Sequence, residues 1–89
     1  MYKKDGKGNV LFSVKTDGRV SRAAVAGDFT GWKLTPMRKQ KDGTFAVSLA
    51  VSAGRHEYKF ILDGNWKHDP DVRDAVHNSY GSLNSVVTV

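Results

Sequence analysis

The chain predicts an all-β domain, an antiparallel β-sandwich, on three observations. Apolar residues recur with period 2 in short runs. Turn signals built on Gly, Asp and Pro separate those runs roughly every 8–12 residues. No stretch carries a helix-period pattern long enough to pack. At 89 residues the chain supports one domain and one modest core, since a domain this small buries only roughly 60% of the surface that its unfolded chain exposes. Residues 1–89 read as a single module, with 1–8 a flexible N-terminal segment.

Each element follows from local pattern. Val10, Phe12 and Val14 alternate with Leu11 and Ser13, and Thr16-Asp17-Gly18 ends that strand. Val20 to Ala26 reads as the second strand. The segment from Gly27 to Asp42 is polar and punctuated by Gly27, Gly31 and Pro36, which predicts an irregular loop carrying Trp32. After Asp42-Gly43, Phe45, Val47, Leu49 and Val51 alternate with Thr44, Ala46, Ser48 and Ala50, so the small-residue face is expected to look outward. Arg55 to Leu62 places Tyr58, Phe60 and Leu62 on one side and Glu57, Lys59 and Ile61 on the other. Asp63-Gly64 is a strong hairpin signal. Asn65 to His68 returns, Asp69-Pro70 stops it, a polar stretch runs to Gly81, and Ser85 to Val89 closes the fold. Asp71 to Val76 is the nearest helix candidate and is too short to carry packing.

Composition narrows the function. Cysteine is absent, which excludes a disulfide scaffold and thiolate chemistry. The start has neither the pattern of a signal peptide nor a span, so a soluble, cytoplasmic protein without membrane contact is expected. A net charge of +5, from 14 basic and 9 acidic residues, raises a polyanionic partner. The basic residues are scattered, however, and the cluster Arg38-Lys39-Gln40-Lys41 abuts an Asp-Gly turn, as a solvated hairpin loop would. Catalysis finds no support: His56, His68 and His77 lack a serine elbow, and no cysteine can pair with them. Asp69, Asp71 and Asp74 lack the loop glycine and closing glutamate of a hand-type calcium site, and Asp69-Pro70 reads as a strand end. Paired carboxylates for glycoside hydrolysis have no frame to hold them across a cleft. Neither metal nor cofactor is implied.

The informative residues are the tryptophans, Trp32 in Gly27-Asp28-Phe29-Thr30-Gly31-Trp32 and Trp66 in Asp63-Gly64-Asn65-Trp66. A tryptophan in a polar turn forgoes on the order of 2 kcal/mol of burial unless something covers it. Either the two rings cap the ends of the core, or they serve as plates for the C–H faces of sugar rings. Period-2 geometry sets Lys59 opposite Tyr58 and Phe60, and the Asp63-Gly64 turn folds Trp66 back beside its strand. Taken alone, Lys59 reads as a solvated surface lysine. Beside an indole, its ammonium can hydrogen-bond sugar hydroxyls. A single-strand nucleic-acid binder would also use aromatics and lysines, yet Asp28, Asp63 and Asp69 flank the tryptophans and no RNA-binding sheet motif is present. A protein-docking module anchored by exposed aromatics is the other alternative.

Four motifs in order, Gly27-Asp-Phe-Thr-Gly-Trp32, Gly54-Arg-His-Glu-Tyr-Lys-Phe60, Asp63-Gly-Asn-Trp-Lys-His-Asp-Pro70 and Tyr80-Gly-Ser-Leu-Asn84, resemble carbohydrate-binding module family 48. That family includes the glycogen-binding domain of AMP-activated protein kinase β subunits and modules of branching and debranching enzymes. The resemblance runs from about Val10 to Val89. It implies an immunoglobulin-like (early-set) sandwich that binds α-glucan, as glycogen, starch or malto-oligosaccharide, without catalysis, and a host enzyme or kinase complex as partner. It further implies that Trp32 and Trp66 stack on glucose, that Lys59 donates to sugar hydroxyls and that Asn84 adds a hydrogen bond. Ser82 keeps the hydroxyl of a family threonine. Tyr80 departs from a family leucine, and its ring can add a third stacking surface or block the path.

Overall fold

The computed structural model describes all residues from Met1 to Val89. Ten strands follow one another: β1 (Tyr2–Lys4), β2 (Asn9–Lys15), β3 (Ala23–Gly27), β4 (Thr35–Pro36), β5 (Arg38–Lys39), β6 (Thr44–Ala50), β7 (Arg55–Leu62), β8 (Asn65–Lys67), β9 (Ala75–His77) and β10 (Leu83–Thr88). They form two sheets, one in the order β1-β2-β6-β5 and the other β4-β3-β7-β10-β9, with β8 also paired to β7. The expected all-β, immunoglobulin-like sandwich is present.

Alternation explains how the layers close. In the β2–β6 ladder Val10 faces Leu49, Phe12 faces Val47 and Val14 faces Phe45, so one face of that sheet is continuous and apolar. It packs on Val25, Tyr58, Phe60 and Val87 of the second sheet. Phe12 meets Tyr58 edge-on with ring centroids 5.0 Å apart, and Phe60 meets Tyr58 in the same manner at 5.7 Å. Each such pair adds about 0.5–1.5 kcal/mol beyond its burial. Ser48 and Ala50 face outward, as their alternation requires.

Several boundaries differ from the expected ones. Tyr2–Lys4, expected within a flexible segment, form β1 against Phe12–Val10, because the Tyr2 ring stacks 6.3 Å from that of Tyr58. The second strand begins at Ala23 instead of Val20. The long loop contains a 3-10 turn at Asp28–Thr30 and the two-residue strands β4 and β5. Ala75–His77, read as part of a polar stretch, are a strand because Leu83–Ser85 pair with them. The last strand starts at Leu83, two residues earlier than Ser85.

Asp69 does more than end a strand. Its carboxylate is fully buried, accepts a hydrogen bond from the Tyr58 hydroxyl at 2.7 Å and accepts the Asp71 N–H at 3.0 Å. Its own N–H donates to Ser85 Oγ at 2.6 Å. One buried acid thus ties the chain after β8 to β7 and β10, the two strands that carry the site. Burial, then the Asp69 hydrogen bond and charge, push the Tyr58 phenol well above its ordinary pKa.

Candidate functional site

The site forms where β7 exchanges neighbours. One edge of β7 pairs with β3 from Tyr58 to Leu62. The other edge pairs with β10 from Arg55 to Tyr58 and with β8 from Phe60 to Leu62. Lys59 lies at that seam. Its outward-facing neighbours on β3 are small, Ala26 directly opposite and Ala24 opposite Ile61, so the outer face is left shallow there. The Asp63-Gly64 turn, with φ of 48° and 84°, has the two left-handed residues of a type I′ hairpin. That turn sets Trp66 opposite Ile61, on the same face as Lys59 and diagonal to it.

Trp32 comes to this face by a sharper route. Gly31 and Trp32 both have positive φ, 65° and 61°. For a tryptophan this conformation costs of the order of ~1–3 kcal/mol and persists only where its surroundings impose it. Gly27 approaches so closely that an added Cβ would lie 2.7 Å from the Glu57 carbonyl oxygen and 2.6 Å from the Phe29 ring. Asp28 binds back to β7, its Oδ2 accepting the Glu57 N–H at 2.9 Å and its Oδ1 lying 2.6 Å from His56 Nδ1. Phe29 stacks on Phe12 at 5.3 Å, and Trp32 N–H donates to the Gly27 carbonyl at 2.9 Å. The whole Gly27–Trp32 motif is therefore a bracket bolted to the strand that carries Lys59.

A cleft of about 620 Å³ opens between these elements, lined by Trp32, Lys59, Trp66, Tyr80, Ser82 and Asn84, all six expected site residues, with Asn78 and Ser79 added. Trp32 and Trp66 are 40% and 47% exposed, so neither ring caps the core. Tyr80, at 93%, stands almost free on the rim. Lys59 corrects its single-residue reading: it is 93% covered (7% exposed), and its Nζ donates to Ser82 Oγ at 2.9 Å.

The polar floor is a chain of hydrogen bonds. Asn78 Nδ2 donates to Ser82 Oγ at 2.8 Å and to Asn84 Oδ1 at 3.1 Å, and Asn84 Nδ2 donates to Glu57 Oε1 at 3.1 Å. Ser82 Oγ accepts twice, from Lys59 and Asn78, which leaves its proton for an incoming acceptor. An ammonium has three donors, and one of those on Lys59 is used. The floor therefore presents donors.

Asn78 is the residue that sequence reasoning missed. Its Oδ1 accepts the N–H groups of Tyr80 at 2.9 Å and Ser82 at 3.2 Å, which shapes the loop between β9 and β10. The signal was an asparagine four residues before Ser82, the spacing of a side-chain-capped turn. It went unread because β9 was not expected there.

Two exposed indoles thus wall a donor-lined cleft on an immunoglobulin-like sandwich. The chain belongs to the family described as the glycogen recognition site of AMP-activated protein kinase, whose pattern matches residues 8–89. Among related proteins, FLOURY ENDOSPERM 6, chloroplastic, of Oryza sativa subsp. japonica is 40% identical over 78% of this chain and 13% of its own length. The β-1 subunit of 5'-AMP-activated protein kinase of Sus scrofa is 32% identical over 73% of this chain and 52% of its own. PTST homolog 2, chloroplastic, of Arabidopsis thaliana is 39% identical over 65% and 11%. The chain thus spans about half of one of these relatives and a small part of the others. The crystal structure of a Salmonella typhimurium protein described as a putative alpha amylase superposes with a TM-score of 0.78 over 99% of this chain and 14% of that one, at 22% identity, a likeness of fold. No helix is long and apolar enough to cross a membrane. Two of the relatives are named as chloroplastic, so the expected cytoplasmic location draws no common support from them.

Proposed function

We propose that this module binds α-1,4-linked glucan without catalysis, Trp32 and Trp66 each stacking on a glucose face while Lys59, Ser82 and Asn84 donate to or accept from the hydroxyls between them. The observation that carries this reading is the gathering of all these residues in one cleft. An indole plate covers the apolar C–H face of a pyranose, and the donors of the floor match equatorial hydroxyls. Tyr80, on the rim, serves as a third plate. The family's description as a glycogen recognition site supports glucan as the ligand, and the relatives that are kinase β subunits support a kinase complex, or another host enzyme, as partner.

Two stacked rings at ~1–2 kcal/mol each and a few hydrogen bonds at ~0.5–1.5 kcal/mol, set against the entropy of association, give a Kd of roughly 10⁻⁶ to 10⁻³ M. The cleft itself holds one cationic side chain, Lys59, which is 7% exposed, so it offers no row of cations along which a nucleic-acid backbone could run. The test is a titration with maltoheptaose followed by tryptophan fluorescence. Saturation with a blue shift, at the same midpoint in low and high salt, is expected for a neutral ligand, whereas phosphate-driven binding would weaken steeply. No spectral change up to ~10 mM sugar would refute the reading.

A further inference from the structure

A second groove, of about 440 Å³, adjoins the cleft and shares Lys59, Trp66 and Ser82 with it. It occupies the open side of the sandwich, where Trp66 and Lys67 point to opposite faces of β8: Trp66 sits opposite Ile61 and Lys67 opposite Phe60. Its apolar lining includes Leu62, Leu83 and Pro70. Three cationic or protonatable side chains, Lys15, Lys67 and His68, come from the end of β2 and from the β8 segment, and all three are exposed. None takes part in the ion pairs of the structure, which involve Met1, Arg19, Arg55 and His56. Trp66 therefore stands between two regions of different character, a cleft floored by amide and hydroxyl groups and a groove rimmed by exposed basic side chains.

We infer that this groove is a subsite for an anionic substituent on the glucan, a phosphate ester carried by a glucose unit next to the one stacked on Trp66. The inference rests on the glucan reading above and names a substrate class within it. Continuity supplies the path, since a chain that covers Trp66 and contacts Ser82 already borders the groove. Charge supplies the preference: a phosphate dianion beside Lys67, with Lys15 and His68 within the same groove, gains attraction that a neutral hydroxyl does not. The apolar lining accommodates the body of the sugar that bears it.

The experiment compares calorimetric titrations of maltoheptaose and of maltoheptaose bearing one phosphate monoester, on the wild-type chain and on Lys67→Gln, Lys15→Gln and the double variant, with inorganic phosphate as a control ligand. The phosphorylated sugar is expected to bind about tenfold tighter, a preference that several exposed charge pairs acting together can supply. The double variant should lose that preference while keeping its affinity for neutral maltoheptaose, and raising the salt should erode it. Equal affinities for the two sugars, or a preference that survives the double variant, would overturn the subsite and leave the glucan reading standing. Inorganic phosphate displacing the phosphorylated sugar at equal concentration would overturn it too, since free phosphate would then be the ligand. If neither sugar binds, both readings fall.

Discussion

Replacing Trp66 by alanine separates a ligand-facing ring from a structural one. The side chain is 47% exposed, so about half of the ~150–250 Å² that an aromatic buries when fully covered is already taken up by the fold. At ~25 cal/mol per Å² that covered half corresponds to ~2–3 kcal/mol of stability, an upper estimate that shrinks toward ~1–2 kcal/mol because the unfolded chain is itself partly compact. A loss of ~1–2 kcal/mol lowers Tm by roughly 4–16 °C in a domain of this size, and the variant stays folded at 15 °C. The exposed half awaits the sugar. Losing its coverage removes ~1–2 kcal/mol of binding, a weakening of roughly 5–30-fold. Far-ultraviolet dichroism gives the melt, and calorimetry with maltoheptaose at 15 °C gives the affinity without relying on the deleted fluorophore. A folded variant with wild-type affinity would refute the placement of Trp66 in the site. Should the alanine variant fail to fold, Trp66→Phe keeps a smaller plate, and unchanged affinity there would count against stacking in the same way.

Lys59→Met preserves the buried stem and deletes the ammonium, so glucan affinity is expected to fall about 2–10-fold, less than for Trp66→Ala, with stability within ~1 kcal/mol of wild type by urea denaturation. Gly27→Ala drives a Cβ to 2.6–2.7 Å from Phe29 and the Glu57 carbonyl; a loss of ~1–3 kcal/mol in urea, with weaker glucan binding because the Trp32 bracket shifts, is the expected pair of results. Asn78→Ala removes both donors to Ser82 and Asn84 and the acceptor for two loop N–H groups, so weaker glucan binding with the β sandwich retained by dichroism is expected. Tyr58 supplies a pH prediction. Its folded pKa is raised, so the folded state holds the phenol proton after the unfolded chain has released it near pH ~10. The contribution is complete below that pH and is lost above it at about 1.4 kcal/mol per pH unit. Tyr58→Phe should flatten this alkaline slope in urea denaturation series between pH ~9 and ~11.5, and an equally steep fall in the variant would assign the slope to other groups.

Some of this was legible because local chemistry decided it. Alternation at Val10–Val14 and Phe45–Val51 set the inner faces before any partner was known, and Asp63-Gly64 allowed one tight turn whose geometry places Trp66 beside β7. Weaker elements were hidden. Tyr2–Lys4 and Ala75–His77 are three-residue edge strands, too short for periodicity to stand out, and they form because β2 and β10 offer free edges to pair with. Asp69 looked like the end of a strand because its partners, Tyr58 and Ser85, are 11 and 16 residues away.

The site divides along the same line. Local signature singled out Trp32 and Trp66, each an indole in a polar turn, and set Lys59 on the strand face beside Trp66, whereas Tyr80, Ser82 and Asn84 were expected only because the motif Tyr80-Gly-Ser-Leu-Asn84 resembles the family. Tertiary structure alone decided that the six share one cleft, that Lys59 is covered by its neighbours, and that Asn78 arranges the floor. The reason is that these properties come from which strand edges meet: β7 gives up β10 for β8 at Lys59, and pairing between segments tens of residues apart is settled by the packing of the whole sandwich, which no short window of sequence contains.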